Sequence, residues 1–140
     1  MSYPGGRTYS PDGRHYVELS YAGEIPFGPE YFTLEVDHRS FGDRIFGCAL
    51  WSPDSSILVV TEWHTLDRQV GPITSLLLIR PSDWKFSRFP IVEKGFAMPN
   101  YFTGNGLILR HTDQIHKGGA FMVERETDLA MIDDWQSLDV

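Results

Sequence analysis

A Ser-Pro-Asp turn between an aromatic residue and a strand-like run constrains the fold of this chain most. It is clearest at residues 51–55, Trp-Ser-Pro-Asp-Ser, which lead into the apolar run 57–60. Proline suits the first central position of a type I turn because its ring fixes φ, and aspartate can bond nearby backbone. The run after the turn is short and apolar on both faces, which predicts a buried strand.

The turn recurs along the chain and defines a repeat. The first copy lies at residues 5–13, the second at 47–55, and a decayed third at 95–106 carries an insertion and has lost the Ser-Pro-Asp sequence. The spacing of roughly 40 to 50 residues is typical of repeat architectures. Each copy leads into a strand candidate, at residues 14–21, 57–60 and 107–109.

A second series of strand candidates lies between these copies. It comprises residues 32–36, 76–79 and 121–123, followed by polar turns at residues 37–40, 80–83 and 125–128. Residues 84–89 add a further strand after the second turn. The residues that we expect to be largely buried in the core are Trp51, Ile57, Val59, Leu76, Leu78, Leu107 and Leu109. We therefore predict an all-β fold of antiparallel meanders in three blade-like units, with residues 1–140 as one domain.

The C-terminal segment 128–139 is ambiguous. Leu129, Ile132, Trp135 and Leu138 are spaced three residues apart, which permits a helix capped by Thr127 or Asp128. By the logic of the repeat, the same residues hold a last strand, and the strand is the interpretation that we favour.

The repeat resembles the blades of β-propeller proteins. The residues that carry the resemblance are 9–13 and 51–55, with 102–106 as a weaker match. Propellers have about four to eight blades, whereas three units are present here. The resemblance therefore implies a partial propeller, a curled sheet, a sandwich, or half a propeller that a second copy completes as a homodimer.

Charge and composition narrow the class of partner. The chain has a net charge of −7 and 14% aromatic residues. Nucleic-acid binding depends on clustered cations, so we predict a protein partner and no nucleic acid; the acidic charge could suit a basic partner. No signal peptide or membrane-length apolar run is visible, which predicts a cytoplasmic protein without a membrane partner. Cys48, the lone cysteine, follows Gly47 in an apolar stretch and is expected to be a buried structural thiol.

Two aromatic loop regions are candidate binding sites. Trp63, His64, Asp67 and Arg68 end the central strand and enter a polar loop. Tryptophan and arginine are enriched in interface hot spots, although an aromatic lid on the core explains the same residues. Phe27 lies in a loop that Pro26 and Pro29 hold extended, from which it could reach a partner or pack back onto its own sheet.

His111, Asp113 and His116 are the residues closest to a metal-binding pattern. On a strand, His111 and Asp113 share one face, and the following loop could bring His116 near. A metal site needs three or four convergent ligands, and an exposed hairpin is the interpretation of these residues that we favour. We predict no metal and no cofactor.

No motif specifies a chemistry, so three functions remain open. The first is a non-enzymatic protein-interaction module of propeller-like repeats. The second is an acidic immunity or inhibitor protein that neutralises a basic toxin or nuclease. The third is a small metal-dependent hydrolase that uses His64, His111 and His116.

Overall fold

Antiparallel strands make up nearly all of the regular structure. The structure is a computed structural model and describes residues 6–26, 28–116 and 119–140. The larger sheet contains β1 (Gly6–Tyr9), β2 (Tyr16–Glu24), β3 (Glu30–Val36), β4 (Arg39–Ser40), β5 (Ile45–Trp51), β6 (Leu58–Thr65), β7 (Ile73–Arg80), β8 (Lys85–Arg88), β9 (Val92–Glu93) and β13 (Gln136–Ser137). The smaller sheet contains β10 (Gly95–Thr103), β11 (Ile108–Ile115) and β12 (Phe121–Asp128).

Both sheets follow the order of the chain. The larger sheet runs β1-β2-β3-β5-β6-β7-β8-β13, with β4 beside β3 and β9 beside β7, and the smaller runs β10-β11-β12. Every pairing is antiparallel, which confirms the predicted all-β meander. Among the described residues, no helix has the length and apolar character that crossing a bilayer requires.

The strands stack as three layers. The ladder between β3 and β5 consists of one pair, Phe32 opposite Phe46, and there the larger sheet folds back on itself. One core forms where β2 and β3 face the middle layer of β5 to β8, through Val17, Leu19, Phe32, Leu34, Val36, Leu58, Val60, Leu77 and Ile79. The other core lies between the middle layer and the smaller sheet, through Ile57, Val59, Leu76, Leu78, Ala97 and Leu109.

This layering explains the apolar runs of β6 and β7. Successive side chains of a strand point to opposite faces, so a strand buried on both faces is apolar throughout. The predicted core residues Trp51, Ile57, Val59, Leu76, Leu78 and Leu109 are buried, as expected. Leu107, also predicted to be buried, lies just outside β11 and is only partly covered.

Buried threonine hydroxyls attach β10 to the middle layer. The Thr74 hydroxyl donates to the Gly95 carbonyl at 2.9 Å and accepts from the Ala97 amide at 2.8 Å. The Thr61 hydroxyl donates to the Ala97 carbonyl at 2.6 Å. These bonds satisfy backbone groups of β10 that would otherwise be buried without partners, and so fix the smaller sheet on the middle one.

The two Ser-Pro-Asp turns form as predicted, with matching hydrogen bonds. In the second turn, the Ser52 hydroxyl donates to Asp54 at 2.7 Å and accepts from the Ile57 amide at 3.0 Å. The first turn repeats both bonds at 2.8 Å and 3.1 Å through Ser10. Both end on a left-handed residue, Gly13 at φ 74° and Ser55 at φ 67°. The turns also touch, since the Asp12 amide donates to the Ser55 hydroxyl at 2.9 Å.

Three expectations about local structure are wrong. The tail is not one strand: Leu129–Met131 form a 3-10 turn capped by Asp128, and only Gln136–Ser137 pair with β8. Residues 125–128, expected as a turn, continue β12. Cys48 is exposed rather than buried, because the β5–β6 register shifts between Phe46 and Ala49 and turns that residue outward. Partial desolvation still raises the pKa of its thiol.

Candidate functional site

Trp63 joins the three layers at one end of the sheets. It lies near the end of β6 and is only 7% exposed. Its ring centroid is 5.7 Å from that of Tyr31 on β3 and 5.4 Å from that of Phe96 on β10. Trp63 is therefore an aromatic lid on the core that also contributes to the surface clefts around it.

A loop cleft beside Trp63 collects most of the predicted binding residues. Its volume is about 200 Å³, and its lining consists of Ile25, Pro26, Trp63, Thr65, Leu66, Asp67, Arg68, Gly71 and Pro72. Asp67 and Arg68 thus lie with Trp63, next to the proline-rich loop. Phe27, the predicted contact of that loop, lies outside the described residues. Binding at this cleft stays a prediction.

His64 does not line this cleft. Its Nε2 atom is 2.7 Å from the Ser75 hydroxyl oxygen on β7. A histidine beside a serine can activate a nucleophile, but Ser75 has no exposed surface and could not reach a substrate. The bond therefore orients the exposed imidazole ring.

A buried carboxylate shares the face of His64. Glu62 on β6 is 4% exposed, and its Oε1 lies 2.7 Å from Arg88 Nε, while Arg44 bonds its other oxygen. Burial alone raises the pKa of this carboxyl, but the hydrogen bonds and charges of Arg88 and Arg44 outweigh burial and leave the pKa lowered. Glu62 is therefore ionised and bridges Arg44, which directly precedes β5, and Arg88 on β8.

Glu62→Gln is expected to remove a pH-dependent part of the stability. A lowered folded-state pKa stabilises the fold above the unfolded value of about 4.3, and the contribution disappears as the pH falls through the folded pKa. We expect a loss of about 1 kcal/mol at neutral pH that narrows in acid, measured by urea unfolding across the pH range. A difference that stays constant down to low pH would contradict this role of the Glu62 charge. Glu93→Gln on the exposed end of β9 is the control.

His111, Asp113 and His116 do not converge on a metal site. His111 and Asp113 share the inner face, as predicted, but His111 Nε2 lies 2.8 Å from the Thr127 hydroxyl and Arg125 donates to Asp113 at 2.7 Å. His116 lies beyond the strand with its ring against Phe96. Burial lowers the pKa of His111. No group of three His, Cys, Asp or Glu residues in the described ranges is arranged to hold a metal.

The outer edge of β12 is a surface that sequence reasoning missed. Within the described part of the chain, β12 pairs with β11 alone, over eight residues. Phe121 and Met122 at its start are 50% and 61% exposed. Charged residues on both faces of a strand are typical of a sheet edge, and that pattern at residues 124–126 was the available signal.

Acidic side chains follow the outer face of this strand. Met122, Glu124, Glu126 and Asp128 alternate along β12 on the face away from the middle layer, and we call these four residues the acidic edge. Glu126 pairs with Arg110 of β11 at 2.9 Å. Glu124 is exposed and, in the described residues, has no ion-pair partner.

The backbone of the acidic edge also faces outward. The Leu129 amide bonds the Leu107 carbonyl at 2.9 Å, directly after the β11–β12 ladder. Because bonded and non-bonded pairs alternate in antiparallel ladders, the odd residues of β12 bond to β11. The amide and carbonyl groups of Met122, Glu124 and Glu126 therefore point to the open edge, where an added strand could pair with them.

Comparison with known protein families, with curated proteins and with solved structures found no match.

Proposed function

We propose that the protein is a non-enzymatic protein-interaction module that pairs an extended, basic segment of a partner with the acidic edge of β12. The observation that carries the proposal is the open eight-residue edge strand, with its outward backbone groups and exposed carboxylates. Strand addition supplies affinity through the backbone, and side chains on alternate positions supply specificity. The blade-like repeat and the net charge of −7 are consistent with such a scaffold.

Charge complementarity selects the kind of partner. A strand laid antiparallel beside β12 places every second side chain on the outer face, opposite Glu124 and Glu126. Lysine or arginine at those alternate positions pairs with the carboxylates, and apolar side chains between them cover the inner-face Phe121. An acidic inhibitor or immunity protein that neutralises a basic toxin or nuclease is the specific form that this surface supports.

A second copy of the chain is the alternative occupant. Two antiparallel β12 strands related by a two-fold axis keep their outer faces on the same side. Full-length pairing therefore sets the carboxylates of the acidic edge opposite the same carboxylates, which is destabilising. A homodimer would have to use another edge, such as β1, a four-residue strand at one end of the larger sheet. Sedimentation at micromolar concentration distinguishes a species near 16 kDa from its dimer.

The proposal is tested with an extended peptide in which lysine alternates with valine or threonine. We expect saturable binding that weakens with salt, with slower hydrogen exchange at the amides of Met122, Glu124 and Glu126. Glu124→Lys should weaken binding by about tenfold or more. Asp139→Lys changes the net charge equally in the C-terminal tail and serves as the matched control. Equal losses in both variants, or unchanged exchange at the three amides, would overturn the proposal.

A further inference from the structure

A second cleft lies where the three layers meet, and Trp63 lines both this cleft and the loop cleft. Its volume is about 390 Å³, and we call it the junction cleft. It is lined by Pro29, Glu30 and Phe32 from the first layer, Gly47, Cys48, Thr61 and Trp63 from the middle layer, and Phe96, Met98 and Gln114 from the smaller sheet. The volume is in the range of small-molecule sites.

The shape of the cleft depends on the irregular part of β5. Gly47 precedes Cys48 where the β5–β6 register shifts. A Cβ atom at Gly47 would lie 3.3 Å from Thr61 Cβ and 3.4 Å from Trp63 Nε1, which is tight contact. The glycine therefore leaves the floor of the cleft open, and the exposed Cys48 thiol marks its rim.

The walls of the junction cleft are aromatic and thioether groups. Trp63 and Phe96 lie 5.4 Å apart between ring centroids, and Met98 follows Phe96 on the same face of β10. Aromatic faces attract cations through their quadrupole, and methionine adapts to ligands of irregular shape. Such walls suit an apolar body that carries a positive charge.

Glu30 supplies the negative charge with which a positively charged ligand would pair. Its Oε2 atom is buried, and no hydrogen-bond partner for it is present in the described residues. A desolvated carboxylate oxygen without a partner is costly, and a cation placed beside it removes that cost. The lining contains acidic Glu30 and no lysine or arginine, so the cleft is negative on balance.

We propose that the junction cleft binds a small organic cation, an ammonium or guanidinium group on a compact apolar body. The Glu30 carboxylate pairs with the charge, and Trp63, Phe96 and Met98 enclose the apolar part. This site is separate from the acidic edge of β12, shares no residue with it, and does not depend on the proposed partner.

The test compares cations with a neutral molecule of the same shape. Choline and n-butylammonium are titrated against 3,3-dimethyl-1-butanol, the neutral isostere of choline, with the indole N–H resonance of Trp63 as the readout. We expect both cations to shift this resonance saturably, and the isostere to bind about tenfold more weakly or worse. Saturable binding by neither cation, or equal binding of choline and its isostere, would overturn the proposal.

Two variants and a chemical probe distinguish a direct role of the Glu30 carboxylate from an effect of overall negative charge. Glu30→Gln keeps the shape and should weaken choline binding by about tenfold or more. Glu24→Gln removes the carboxylate opposite Glu30 in the β2–β3 ladder, outside the cleft, and should leave binding nearly unchanged. Bound choline should also slow alkylation of the wild-type Cys48 thiol. Equal effects of the two substitutions, or alkylation unaffected by saturating choline, would contradict a ligand beside Glu30.

Discussion

Leu78→Ala is expected to lower the free energy of unfolding by about 2–5 kcal/mol. Leu78 has no exposed surface, lies opposite Val59 in the β6–β7 ladder, and points into the core between the middle layer and the smaller sheet. The substitution removes apolar contacts and leaves a cavity that surrounding strands, buried on both faces, cannot readily close. Chemical unfolding followed by tryptophan fluorescence measures the loss.

Leu66→Ala is the matched control for this substitution. Leu66 lies in the loop after β6 and is 41% exposed, so the same truncation should cost well under 1 kcal/mol. A loss at Leu78 of less than about half a kcal/mol, or one no larger than the loss at Leu66, would show that the second core is not packed as described.

Proline at two neighbouring positions of β12 is expected to change stability by different amounts. Arg125 bonds to β11, so Arg125→Pro removes a ladder bond and places the ring against that strand, at a cost of about 2 kcal/mol or more. Glu124 points its amide to the open edge, so Glu124→Pro should keep most of the stability. The same change removes a donor and a carboxylate that the added strand needs, and binding of the lysine-rich peptide should be lost.

The proline pair distinguishes strand addition from simple charge attraction. Glu124→Gln, which keeps the amide, should retain part of the affinity that Glu124→Pro abolishes. If Glu124→Pro and Glu124→Gln bind the peptide equally, the backbone of β12 takes no part. If Glu124→Pro unfolds the protein as far as Arg125→Pro does, the assignment of outward-facing amides is wrong.

The features that could be predicted correctly, the two turns and the buried strands, depend on local sequence signals. A Ser-Pro-Asp turn specifies its own hydrogen bonds, so the turns at Ser10 and Ser52 could be predicted before any tertiary contact was known. The apolar runs of β6 and β7 likewise indicate burial on both faces without revealing what covers each face.

Long-range contacts decided what the sequence did not predict. The tail pairs with β8 for only two residues, and its Leu138 amide bonds the Trp84 carbonyl, a contact that no local pattern encodes. Cys48 is exposed because of a register shift that depends on the partner strand. The second half of β12 was expected to be a turn because it is polar. Strands are predicted from a period-two pattern that assumes one buried face, and an edge strand need not have one.

In the candidate sites, too, local sequence signals allowed prediction and long-range contacts did not. Sequence reasoning placed Trp63, Asp67 and Arg68 together because they are close in the chain, and the loop cleft does contain all three. Sequence reasoning could not predict the junction cleft, because Glu30, Cys48 and Met98 come from three different layers. The sequence left open whether the loop after β11 brings His116 near His111; in the structure the His116 ring instead packs against Phe96, beyond the end of the strand.

The order in which the chain builds its layers has a consequence during synthesis. The middle layer emerges from the ribosome with one apolar face covered by the first layer and the other bare. Ile57, Val59, Leu76 and Leu78 stay exposed to water until β10 and β11 have been made. A nascent chain that ends near residue 94 therefore has every strand of the larger sheet except β13 and exposes one apolar face. This is the stage at which a chaperone would have most surface to recognise.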